Sequence, residues 1–333
     1  MTTFYILQAF LIIYFSFLFG KKSIEWLQLE FPRKAEAFYA TALGFGWLGL
    51  VALIFSLFGQ YKAINFWLLF GVLIIVSRRT IFAHIKLLIS KDFYRNLLLK
   101  TKSWISEYTI LRVIILLFIS VYCLLSTVPS FISSDGIAFH LPIVLKIIDD
   151  GVMSIPLKGP FTLEPNLSYG YIPVLAELIY SIPILLFKNL ISFKVLQISG
   201  LFLLIYPIVE FVSKKLKNKL STLLLSVVLL SCMPLISYSL EGGMVEIFTF
   251  VFGILSTLLL VQMIVDDLPP KKIILASAIF VAFAASTKYI GLFYGVLNGL
   301  LLIYYFWEQR KSVRHSIKAL SWFAVPPILI AGF

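Results

Sequence analysis

An all-α, polytopic transmembrane bundle is the fold this sequence predicts, and three observations predict it. The 333 residues are 60% hydrophobic and 13% charged, with a mean hydropathy of +0.99; a soluble domain is nearer half apolar and a quarter charged. Apolar runs of about 17–25 residues recur along the chain, each long enough to cross a ~30 Å hydrocarbon core. The apolar/polar alternation of a membrane β-barrel is absent from these runs.

The apolar runs place ten spans, at 4–20, 37–59, 63–77, 109–128, 190–212, 219–240, 245–264, 272–287, 290–306 and 318–333. The start, "MTTFYILQAF", lacks the positive n-region of a signal peptide, so the first run reads as a retained span. The chain stops inside the apolar "SWFAVPPILIAGF", which predicts a piece of a longer protein with further spans.

Cations set the expected orientation, because Lys and Arg collect in cytoplasmic loops. The clusters are Lys21, Lys22, Arg33 and Lys34; Arg78 and Arg79 on to Arg112; "SKKLKNK" at 213–219; and "EQRKSVRHSIK" at 308–318. The net charge of +12 belongs to these loops, and no nucleic-acid partner is expected. All four clusters fall on one side only if the apolar segment 171–187 does not cross. Pro173, Pro183 and Glu177 interrupt that segment, and it reads as an interfacial or re-entrant helix on the outer side. The N-terminus then lies outside, with 129–189, 241–246 and 286–290 facing outward.

Three regions follow: N-terminal membrane helices at 1–77, a basic amphipathic segment at 78–108, and a module at 109–333 with a long outer loop at 129–189. In the middle region Ile81, Phe82, Ile85, Leu88 and Ile89 recur at helical spacing among cations, as in a surface helix on anionic lipid. Cys123 and Cys232 both sit in apolar spans and read as packing residues. No Gly-rich phosphate loop follows a strand, which excludes a P-loop or Rossmann nucleotide unit.

Ionisable groups at membrane depth are costly and mark function. On the outer face these are Asp135, His140, Asp149, Asp150, Glu164, Glu177, Glu241, Glu246 and Lys288, the last beside Tyr289. Asp135 in "SSDG" reads both as a helix N-cap and as a general base at the membrane surface. Gly151 after "PIVLKIIDD" reads as a helix C-cap. Glu246 heads an apolar helix, where the dipole favours a carboxylate. Lys288, in "FAASTKYIGL", reads either as a snorkelling cation or as a partner for phosphate at the bilayer edge. Asp135 and His140 are five residues apart and do not share a helical face, so a divalent metal on Asp135, His140 and a distant carboxylate has no support from spacing and stays an open alternative. Together, acids and a cation at one lipid–water boundary suit a substrate with a lipid tail and an anionic head.

Four segments in order, "SSDGIAFHLPIVLKIIDDG", "IPVLAELIY", "MVEIFTFVFGILSTLLL" and "FAASTKYIGL", resemble the GT-C superfamily of membrane glycosyltransferases, which use polyprenyl-phosphate sugars. The likeness spans about residues 109–306 and is greatest to the mannosyl- and aminoarabinose-transferase-like members. Phe139 stands where those members usually carry Tyr. The resemblance implies a hexosyl- or pentosyltransferase of the cell envelope, in the bacterial cytoplasmic membrane, with its site facing outward. A lipid-linked sugar would be the donor, and a glycan, lipid or protein the acceptor. It implies Asp135 as base or metal-associated acid, Glu246 as the second-loop acid and Lys288 as the cation near the donor phosphate. His140, Tyr289 and Glu241 complete the expected substrate contacts. Asp135 is followed by Gly136, where many members carry an adjacent acidic pair, which weakens the metal reading. The rival expectations are a lipid-linked sugar flippase or other transporter and a non-catalytic membrane subunit; glycosyl transfer separates the first reading from both.

Overall fold

The computed structural model describes residues 2–106, 109–125, 140–152, 174–240, 244–309 and 313–331, and every regular element among them is a helix. Hydrocarbon offers no partner to a backbone N–H or C=O, so an apolar chain of this kind satisfies its backbone within helices. The first half of the bundle comprises α1 (Thr2–Leu27), α2 (Glu36–Leu57), α3 (Ala63–Val76), α4 (Arg78–Ile89), α5 (Lys91–Ser106) and α6 (Thr109–Leu125). Two short helices follow, α7 (Leu141–Asp150) and α8 (Leu175–Phe187). The rest is α9 (Ile191–Leu216), α10 (Lys219–Leu230), α11 (Met233–Leu240), α12 (Glu246–Asp266), α13 (Pro270–Thr287), α14 (Gly291–Glu308) and α15 (Val313–Ala331).

This is the architecture of a multi-pass membrane protein, but the ten expected spans are not ten membrane-length helices. Among the described residues five helices are long and apolar enough to cross: α1, α2, α9, α12 and α13. A sixth arises if α3 and α4 count as one span, although they bend by 77° at Ser77. The expected span 109–128 is a helix of 17 residues, 219–240 breaks into α10 and α11 at Ser231–Cys232, and the apolar part of α15 is short and carries Pro326 and Pro327. Helix α14 has 18 residues but includes Asn298, Trp307 and Glu308. Apolar content alone could not distinguish membrane-length helices from shorter helices packed beside them.

The closest helix pair is α1 with α2. Ser16 and Gly20 on α1 face Ala40 and Gly44 on α2, a small-xxx-small arrangement on both sides that lets the backbones touch. A Cβ at Gly20 would run into the Ala40 carbonyl, and one at Gly44 into the Ser16 carbonyl. Further along the bundle, α12, α13 and α14 share a buried polar network. The Asn298 amide donates to Ser256 Oγ (2.6 Å), Ser256 meets Ser277 Oγ (2.8 Å), and Thr257 donates to Asn298 Oδ1 (2.9 Å). The outward surfaces of α3 and α14 stay apolar, with Leu68, Val72 and Ile75 on one and Phe293, Val296 and Leu300 on the other exposed.

Side-chain contacts sort the helix ends into two groups. At one end Lys214 and Lys215 of α9 pair with Asp266 of α12, Lys272 of α13 pairs with Glu30, and Lys21 pairs with Glu36. Phe306 of α14 and Lys318 of α15 line one cleft with Pro270 and Lys271 of α13, so they lie at this end too. The cation clusters around 21–34 and 213–219, with Lys318, therefore share this basic end. At the opposite end Ser192 donates to Tyr5 O (3.0 Å), Asn189 to Gln8 (2.8 Å), and Tyr61 N–H to Gly151 O (3.3 Å).

Helix α8 lies wholly at that opposite end. Its 13 residues make a rod of about 20 Å, too short for the ~30 Å core. Residues 175–185 are all buried, so the helix is enclosed in protein rather than laid on an exposed surface. The α4–α5 segment differs: α4 has no buried residue and exposes Phe82, Ile85, Leu88 and Ile89. Cys123 and Cys232 form no disulfide, and Cys123 is exposed rather than packed in the core as the sequence suggested.

Gly44→Leu is expected to destabilise the bundle by about 1–3 kcal/mol, because overpacking forces α1 and α2 apart. A Cβ at Gly71 on α3 meets nothing within 4 Å, so Gly71→Leu should be near neutral. Thermal unfolding in detergent compares the two.

Candidate functional site

The end of the bundle that holds α8 also gathers the ionisable residues that apolar periodicity leaves unexplained. Helix α7 begins there. Pro142 stands in its first turn, where a missing N–H costs nothing, and His140 is its N-cap residue. Val144 and Ile147, three apart, bury one face. Gly151 closes the helix in the left-handed conformation at φ 65°, as its place after "IIDD" predicts. Lys146 and Asp150 form an exposed i,i+4 pair at 3.1 Å, which makes Asp150 a surface residue.

Glu177 lies in the first turn of α8, where the dipole favours a carboxylate. His140 Nδ1 is 2.7 Å from its Oε1. With the carboxylate ionised, Nδ1 carries the proton and donates, and Nε2 is left as the nitrogen that exchanges protons. Two further bonds fix α8: Tyr180 donates to Met244 O (2.7 Å), and Ser181 meets the Tyr61 hydroxyl. The first ties α8 to the residues preceding α12.

Glu246 is the first residue of α12. Lys288 is the C-cap of α13, with extended backbone, and it forms an ion pair with Glu246. The turn after it is tight: Gly291 N–H donates to Lys288 O (2.8 Å), and a Cβ at Gly291 would strike the Ala284 carbonyl. Glycine is required here because α13 and α14 approach backbone to backbone.

The two pairs share one electrostatic neighbourhood. Burial pushes the His140 pKa down, but the Glu177 hydrogen bond and charge, with Glu246 behind them, outweigh burial and an opposing contribution from Lys288, so the value is raised. The exposures grade inward: Lys288 is 42% exposed, His140 16%, Glu246 15% and Glu177 1%. Glu177 Oε2 and Glu246 Oε2 are buried with no hydrogen-bond partner among the described residues. The cluster thus offers an accessible ammonium, an imidazole held by a carboxylate, and two carboxylate oxygens able to accept from a hydroxyl. That is equipment for binding an anion and moving a proton.

No family model, curated protein or solved structure matches this chain. The site therefore rests on its own geometry. Of the six residues expected from the sequence, His140, Glu246 and Lys288 come together. Tyr289 follows Lys288 in the turn, with its ring exposed. Asp135 and Glu241 lie outside the described residues, as do Glu164 and most of the 129–189 loop. Among the described residues no group of three His, Cys, Asp or Glu side chains is placed to hold a metal ion. Glu177 is the residue that the choice of site residues missed. It was legible as an acid inside an apolar helix and within the "IPVLAELIY" motif, but its partner lies 37 positions away, and no periodicity links the two.

Glu177→Gln is expected to lower the His140 pKa, because it removes the charge that holds the proton. The raised folded-state value contributes stability that is fully present below the ordinary imidazole pKa of about 6.5. That contribution is lost as pH rises through the raised value. Wild type should therefore exceed the variant most at acidic pH, with the gap closing toward alkaline pH. Melting temperature against pH, with His140 followed by NMR, checks both.

Proposed function

We propose that this chain is a membrane glycosyltransferase of the GT-C kind, which moves a sugar from a polyprenyl-phosphate donor to an acceptor hydroxyl at the outer face of a bacterial cytoplasmic membrane. The observation that carries the reading is the convergence of the His140–Glu177 and Glu246–Lys288 pairs at one end of a helical membrane bundle. That end is opposite the basic one, which the positive-inside rule assigns to the cytoplasm.

In this reading the donor lies with its polyprenyl tail among the lipids and its phosphate at Lys288. An ammonium has three donors, so Lys288 keeps Glu246 while binding the phosphate. Asp135 takes the proton of the acceptor hydroxyl. The acceptor oxygen bonds to the anomeric carbon from the face opposite the phosphate, the carbon–oxygen bond to the phosphate breaks, and the configuration inverts. Lys288 offsets the charge that develops on the leaving phosphate. Glu246, with one oxygen on Lys288 and one without a partner, accepts from a sugar or acceptor hydroxyl. His140, held in one tautomer by Glu177, hydrogen-bonds the substrate beside it.

The test is reconstitution in liposomes with a polyprenyl-phosphate sugar, with transfer to acceptor as the readout. Asp135→Asn should lower turnover by about 10²-fold or more, the usual scale for a lost general base; unchanged turnover would rule out Asp135 as the base. Lys288→Ala should weaken the apparent donor affinity on the order of tenfold, as expected when a charge-assisted bond to phosphate is lost. Transbilayer movement of intact donor without transfer would identify a flippase instead.

A further inference from the structure

At the basic end, remote from the His140–Glu177 pair, the α1–α2 turn, the last turns of α9 and α12 and the start of α13 enclose a cavity of about 610 Å³. Sites for small organic ligands have volumes of about 300–1,000 Å³.

Several of the charges around this cavity neutralise one another. Asp266 is taken by Lys214 at 2.8 Å and by Lys215, and Glu30 is taken by Lys272 at 2.9 Å. Arg33, Lys34 and Lys217 line the cavity, are exposed, and have no acidic partner among the described residues. Glu210 lines it as well; it lies in the field of Lys214 but forms no ion pair among the described residues.

The second observation is independent of the charges. Gln262 lines the same cavity, is only 4% exposed, and its Oε1 is buried with no hydrogen-bond partner among the described residues. A buried amide oxygen left unpaired is destabilising, and an apolar side chain of the same shape would avoid the cost. Its place on the cavity wall identifies where a partner would come from. Three unpaired cations call for an anion, while Gln262 and Glu210 call for a donor. One molecule meets both needs if it carries a phosphate and, a few bonds away, a hydroxyl or ammonium. Phe31, Leu259 and Ile273 give the cavity an apolar wall, suited to the carbon skeleton between such groups.

We propose that this cavity is a second binding site, for a phosphate ester that carries hydrogen-bond donors, of the glycerol-phosphate type. The ester is either a lipid head drawn from the adjacent leaflet or a free molecule. Its phosphate lies against Arg33, Lys34 and Lys217, and its hydroxyl donates to Gln262 Oε1.

Native mass spectrometry of the purified chain in detergent tests this with three probes: phosphatidylglycerol, phosphatidylcholine and sn-glycerol 3-phosphate. Phosphatidylcholine has the same phosphate but no donor in its head. The expected result is preferential retention of one phosphatidylglycerol over phosphatidylcholine, or saturable binding of sn-glycerol 3-phosphate. The first result assigns the lipid source, the second the free one. The double variant Arg33→Ala/Lys217→Ala, which removes no ion pair from the fold, should weaken the retained probe on the order of tenfold. Gln262→Leu, which breaks no hydrogen bond within the protein, should remove the discrimination between the glycerol and choline heads. Equal retention of the two lipids by wild type without saturable binding of the free ester overturns the proposal, as does unchanged binding in both variants.

Discussion

Glu177 sits on a helix buried from residue 175 to residue 185, and the His140 imidazole 2.7 Å away is its hydrogen-bond partner there. A carboxylate taken that far from water is tolerated when a charge and a hydrogen bond compensate it. This requirement sets much of the rest of the site. It holds the N-cap of α7 against α8, and it raises the His140 pKa. It also gives α8 a reason to stay at one end of the bundle, because deeper in the hydrocarbon the pair would lose its access to the boundary. Tyr180 and Ser181 then bind α8 to its neighbours, so the carboxylate has little freedom to leave.

The helices around the site are held by means that do not depend on it. Two small-residue surfaces bring α1 and α2 into backbone contact, and the Ser256–Ser277–Asn298–Thr257 network joins α12 to α13 and α14. Apolar side chains alone separate helices from lipid poorly, since lipid tails are as apolar as leucine; close packing and interhelical hydrogen bonds supply the specificity. The result is a rigid frame carrying Glu246 at the start of α12 and Lys288 at the end of α13. Their ion pair spans 42 positions in sequence but one helix–helix contact in space.

The bundle has two chemically different ends. One carries the cation clusters and the cavity walled by Gln262; the other carries the paired acids and bases. Lys288 is accessible at the second end, while Arg33, Lys34 and Lys217 are exposed at the first. The two proposed phosphate sites differ in their surroundings. Lys288 stands beside an acid whose second oxygen has no partner among the described residues. The cations at the other end stand beside a neutral amide.

Apolar content by itself determined that this chain is helical and membrane-embedded, because a backbone in hydrocarbon must satisfy its own hydrogen bonds. The distribution of Lys and Arg pointed to which helix ends share a side, and the clusters around 21–34 and 213–219 do share one, since charge at depth is costly. Gly151 was legible as a cap because only a residue free of Cβ strain adopts that left-handed turn readily. The number of membrane-length helices was not legible: hydropathy cannot see the bend at Ser77, the break at Ser231–Cys232, or that 175–185 is sheltered by protein rather than lipid. Nor were the partners of Glu177 and Glu246, which tertiary packing alone decided. Pairing between charges depends on which helices become neighbours, and that is set by small-residue contacts and buried polar networks spread across the whole chain.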